Sequence, residues 1–132
     1  MTFCVGIRVK EGLLELSDTR VAAGHAPITR IYGKPILYRA VKYNNDLKFA
    51  PKVACLAFDS TRISAADVGL PIDVAPWRPE NTPGRTAHRF ETDDFQKLSI
   101  YWQSRLRASN DSIPREYIDA MFARFFNEEP DQ

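Results

Sequence analysis

From Phe3 onward the chain alternates: Phe3, Val5, Ile7 and Val9 are apolar, while Cys4, Gly6, Arg8 and Lys10 stand between them. A period of two predicts a strand with one buried face. Lys10-Glu11-Gly12 reads as a turn, with glycine available for a positive φ, and Leu13, Leu14 and Leu16 begin a strand running back. Because the turn lies nearly midway, the hairpin returns Ser17 and Asp18 to the start of the chain. A short helix is predicted from Ile36 to Tyr43, closed by Asn44-Asn45. Asp46 is suited to cap the next helix, in which Pro51 is tolerable only in or just before the first turn. Val53, Ala54, Ala57 and Phe58 form its apolar stripe. Val68, Leu70, Ile72 and Val74 alternate again, and Pro71 marks that strand as an edge or a bulge. Ala75 to Thr86 reads as loop. Asp93 and Gln96 pair as caps of a helix carrying Phe95, Leu98, Trp102 and Leu106 on one side. Ser112 with Pro114 opens a last helix whose Ile118, Met121, Phe122 and Phe125 face inward or onto a partner. With about three to five strands and four helices and no internal repeat, the class is α+β.

The chain start carries chemistry as well as pattern. Excision of Met1 before so small a residue leaves Thr2 with a free α-amine. The reference pKa of that amine is about 7.7–8.0, close enough to neutrality for it to act as a base. An N-terminal threonine is then a hydroxyl nucleophile that carries its own proton acceptor. The hairpin delivers Asp18 to the same end, where it is suited to orient the catalytic groups or hold a nearby cation. Met-Thr is also a common start, and a strand-end Asp is ordinarily a turn residue.

Met1-Thr2-Phe3-Cys4-Val5-Gly6, the Gly12-Leu13 turn and Ser17-Asp18-Thr19-Arg20 resemble the opening of proteasome-type peptidases, above all the bacterial ancestral β-subunit group called Anbu. Tyr32-Gly33-Lys34-Pro35-Ile36-Leu37, Ala54-Cys55-Leu56-Ala57-Phe58-Asp59-Ser60-Thr61 and Val68-Gly69-Leu70-Pro71-Ile72-Asp73 resemble the C-terminal half of the same family, in order. The resemblance implies a partial N-terminal-nucleophile-hydrolase sandwich: the β-hairpin, then C-terminal helices and strand. It implies a threonine peptidase subunit that forms a homo-oligomer and takes peptide or unfolded protein as substrate, with Thr2 as nucleophile and Asp18 as supporting acid.

The chain departs from the family pattern in its middle. Family members place further strands and two helices between the matching parts, whereas here the opening segment passes almost directly from Ile28-Thr29-Arg30 into Tyr32-Gly33-Lys34-Pro35. Residues 1–30 thus resemble the family's hairpin, 31–108 its C-terminal half, and 109–132 form a terminal helix and tail of one shortened domain. Lys34 stands near the count of the family's catalytic lysine, but its neighbours belong to the later helix start, so it reads as a surface lysine. Ser64 and Asp67 are accessory candidates: the family sets an Asp and a Ser three apart to bond the terminal amine, here interchanged. Both residues also suit the end of a helix and the start of a strand.

Composition trims the alternatives. At 132 residues with 44% hydrophobic content the chain suits one modest domain rather than disorder. A net charge of +1 offers no electrostatic reason to expect nucleic acid or an anionic membrane as partner. No apolar run is long enough to span a bilayer and no signal core is present, so the cytoplasm is the expectation. Cys4 and Cys55 read as buried small residues, and His25 and His88 lack ligand spacing; no metal or other cofactor is expected. Two further classes stand beside the peptidase: an inactive assembly subunit or internally deleted relative, and an unrelated binding domain that docks through its last helix. Without the family's middle strands the hairpin lacks cover, which predicts reliance on another chain or marginal stability alone.

Overall fold

The hairpin forms the first half of a four-stranded antiparallel sheet in the computed structural model, which describes residues 3–18, 33–65, 68–80 and 87–126. Strand β1 is Cys4–Val9 and β2 is Gly12–Asp18, paired from Cys4↔Ser17 to Val9↔Gly12. Helix α1 is Lys34–Ala40 and α2 is Phe49–Ser64. Then come β3, Ile72–Trp77, β4, His88–Phe90, helix α3, Thr92–Asp111, and helix α4, Arg115–Phe126. The strands lie in the order β1-β2-β3-β4. This is the α+β class expected. The chain divides into two compact units, Met1–Ser99 and Ile100–Gln132.

In the first unit the alternation is realised as drawn. Phe3, Ile7 and Val9 from the first strand region, Leu14 and Leu16 from β2, and Ile72 and Val74 from β3 are all buried. Helix α2 closes this face with Ala50, Ala54, Cys55 and Phe58. Phe58 sits at the centre, its ring edge-on to Phe3 at 5.5 Å and to Phe95 at 5.3 Å. Three large side chains buried this fully contribute about 1.5–3 kcal/mol each. Pro51 falls in the first turn of α2, where its missing N–H is not needed. Asp46 accepts from the Phe49 N–H at 2.7 Å, just ahead of that turn.

Several expectations are corrected. Gly12 is not in the left-handed region; it is required because a Cβ there would run into the Trp77 carbonyl oxygen. Helix α1 starts two residues before Ile36 and ends at Ala40, Pro35 serving its first turn. Strand β3 begins at Ile72, after the cis Leu70–Pro71 bond, and runs through Ala75 and Pro76 to Trp77, where loop was expected. Pro76 is admissible because its partner Leu14 spends its own main-chain groups on Ile7 in a hydrogen-bonded pair. The Leu14↔Pro76 pair therefore needs no N–H, and β4 reaches only as far as Val74. Strand β4 was not anticipated. Cys4 is exposed rather than buried; Cys55 is buried.

The second unit holds the later part of α3 and all of α4. Ser112 donates its hydroxyl back to Ser109 O at 2.9 Å, so it closes the helix before it rather than capping the one after. Leu106, Ile118, Met121, Phe122 and Phe125 are exposed, so of the two placements expected for the last helix the inward one does not hold. Among the described residues no helix is long and apolar enough to cross a membrane.

Candidate active site

A hairpin with a two-residue loop makes Val9 and Gly12 a hydrogen-bonded pair, and every second pair after it repeats that state. Counting outward reaches Phe3 and Asp18, and there the ladder is modified. Asp18 donates its N–H to Phe3 O at 3.0 Å, as the ladder requires. The return bond runs from Phe3 N to the Asp18 carboxylate, Oδ1, at 2.8 Å. The Phe3 nitrogen belongs to the peptide link with Thr2, so this carboxylate accepts from the amide that directly follows Thr2. Asp18 is buried in doing so. Thr2 itself lies outside the described residues.

Beside this pair, on the opposite face of the sheet, the register aligns Cys4, Ser17, Asp73 and Arg89 in one row. Arg89 donates to both Asp73 oxygens, Nε to Oδ1 and Nη2 to Oδ2, each at 2.8 Å. That fork, with the guanidinium charge behind it, holds the Asp73 carboxyl below the usual range and raises Arg89 above its own. The pair is exposed, so solvent screens it strongly. Neither residue figured among the sequence candidates; the alternation through Asp73 was the available signal.

The other candidates are more scattered. Ser64 is the exposed last residue of α2, and no hydrogen bond among the described residues joins it to Asp18. Asp67 lies outside the described residues. Lys34 opens α1, exposed, with Nζ 5.1 Å from the centre of the Tyr38 ring, a surface placement as expected. Among the described residues no three His, Cys, Asp or Glu side chains gather where a metal ion would need them.

A second polar cluster went unanticipated. Asp59, fully buried on α2, accepts from Arg62 Nε at 2.9 Å and from Ser99 Oγ at 3.0 Å, while Arg62 Nη2 donates to Ser99 Oγ at 3.1 Å. The guanidinium also lies 5.7 Å over the Phe95 ring. Every group in it has a partner of opposite character, which is what lets a carboxylate sit in a core.

No protein-family model matches the chain, and no curated protein matches it. Solved structures do. The helical assembly of the Anbu complex from Pseudomonas aeruginosa is 25% identical with a TM-score of 0.62, covering 86% of this chain and 52% of that one. Anbu from Hyphomicrobium sp. strain MC1 is 28% identical, TM-score 0.61, with 86% and 54% covered. The ancestral β-subunit from Yersinia bercovieri is 26% identical, TM-score 0.61, with 86% and 53% covered. The chain spans about half the length of the Anbu chains it matches, consistent with a partial fold of the proteasome-like kind.

Proposed function

We propose that this Anbu-like, proteasome-like chain is a threonine peptidase subunit whose nucleophile is Thr2 and whose supporting acid is Asp18. The observation that carries the reading is the bond from the Phe3 N–H to the Asp18 carboxylate. It sets the Asp18 carboxylate against the amide that directly follows Thr2 in the chain.

The chemistry follows from the residue types. The neutral α-amine of Thr2 takes the hydroxyl proton as Oγ attacks a peptide carbonyl, and gives that proton to the departing amine. The ester left on Oγ is hydrolysed by water deprotonated by the same amine. The negative charge of Asp18 near the Thr2–Phe3 peptide favours a cationic amine in the transition state. Ser64 and Asp67 are proposed as accessory groups for the amine. The substrates are peptides or unfolded proteins, the chain works as a homo-oligomer within one shortened domain, and its site of action is the cytoplasm.

A second reading, an inactive assembly subunit, is favoured by the chain's spanning about half the length of its structural neighbours. Two measurements separate them. Intact mass must show loss of Met1, since a retained methionine blocks the amine. An electrophile that needs both a threonine hydroxyl and a free amine must then label the wild type and not Thr2→Ala. A mature chain that never labels decides for the assembly subunit.

A further inference from the structure

Among the described residues the outer border of β1 has no strand beside it, and it forms one wall of a cationic groove. Val5 and Ile7 direct their main-chain groups at β2, so Cys4, Gly6 and Arg8 direct theirs the other way. Lys10, next in that series, confirms the direction: its N–H donates outward to Tyr43 O at 2.8 Å. Among the described residues no strand and no main-chain bond covers Cys4, Gly6 or Arg8 on that side. Along this stretch runs a cavity near 330 Å³, walled by Gly6, Ile7 and Arg8 of β1 and by Lys34, Leu37, Tyr38 and Val41 at α1.

The lining specifies an occupant. Among the described residues it contains two cations, Arg8 and Lys34, and no carboxylate. Glu15, opposite Gly6 in the register, is on the adjoining strand and outside the lining. Leu37 and Val41 offer an apolar wall, and Tyr38 is 74% exposed above it. A Cβ built on Gly6 meets nothing within 4 Å, so the face of the sheet is open at that position among the described residues. An open strand border with side-chain subsites on either hand is the arrangement that accepts an added strand.

We propose that this groove binds an extended acidic peptide segment of a partner protein as a fifth strand on β1. Main-chain bonds to Cys4, Gly6 and Arg8 hold it, carboxylates meet Arg8 and Lys34, and apolar residues lie on Leu37, Tyr38 and Val41. The inference does not rest on the peptidase reading, because Thr2 takes no part.

The test is fluorescence anisotropy of the whole chain with a labelled Glu-Val-Glu-Val-Glu-Val peptide. Expected is saturable binding that weakens as salt rises, falls at least about tenfold in Arg8→Glu/Lys34→Glu and in Gly6→Pro, and persists in Thr2→Ala. Gly6 is suited to the proline because its N–H is not used by β2. Should Gly6→Pro fail to fold, a peptide N-methylated at alternate residues decides instead: it must lose binding to the wild type. Absence of binding, indifference to N-methylation, or equal affinity for single-stranded DNA of the same charge would each overturn the proposal.

Discussion

Asp18 substitutes a carboxylate for the main-chain carbonyl that a strand pair would ordinarily offer, and it does so at 4% exposure. Asp18→Ala leaves the Phe3 N–H without its acceptor, so a loss of about 1–3 kcal/mol in urea unfolding is expected. Asp18→Asn keeps an acceptor oxygen and the side-chain size, and should retain most of that stability while losing labelling of Thr2. Equal loss of both in the two variants would make Asp18 purely structural. If Thr2 is the nucleophile, rates rise with pH as its amine loses a proton around 7.7–8.0; an initial-rate profile flat through that range would remove the amine from the mechanism. Cys55 offers an independent check. Burial pushes its thiol up to about 11, against an ordinary value of 9.0, whereas Cys4 is exposed. At pH 8 one thiol should react promptly with a disulfide reagent and the other only on unfolding. The raised value also fixes a sign: the neutral thiol's contribution is complete below pH 9, declines by up to about 1.4 kcal/mol per unit as pH climbs, and is gone above 11. Cys55→Ala should flatten that part of the alkaline stability curve.

Among the elements, the ion pairs divide by burial. Asp59 is fully enclosed beneath a largely covered Arg62, whereas Asp73 is partly exposed and Arg89 half exposed. Arg62→Ala strands a buried carboxylate and should cost about 3–5 kcal/mol in chemical denaturation, while Arg89→Ala should scarcely register. Similar losses in both would mean that burial does not set their worth. Legibility divides along a related line. The hairpin, its buried face and the apolar stripe of α2 were readable because periodicity is a local signal that survives folding. The ends of β3 were not, since Pro76 looks like a strand breaker until its non-ladder register with Leu14 is known. Strand β4 is three residues, His88-Arg89-Phe90, too short to display a period. The Asp59–Ser99 bond joins residues 40 apart, and nothing local announces it. At the candidate site the approach of Asp18 to the chain start followed from the count of residues on either side of the turn. Its grip on the Phe3 amide did not, because side-chain acceptors leave no pattern.

For the molecule as a whole, the question is what completes it. The second unit exposes Tyr117, Met121, Phe122 and Phe125 together on α4, at 70%, 46%, 41% and 72%. Burying such side chains is worth enough to drive association, so sedimentation should show mass rising with concentration, and Met121→Ser/Phe125→Ser should shift the chain towards monomer. A wild type monomeric across a hundredfold range, about micromolar upward, would count against the oligomer.

The lengths of β1 and β4 set a limit on growth. Among the described residues the sheet has a six-residue border on one side and a three-residue border on the other. Two copies zipped along their long borders would turn only stubs outward, and a stub too brief to template a third neighbour ends the series. Such a zipped pair would be a poor start for fibrils: among the described residues the opposite border is stepped, β4 covering β3 only as far as Val74, and offers no straight six-residue seam from which a filament would propagate.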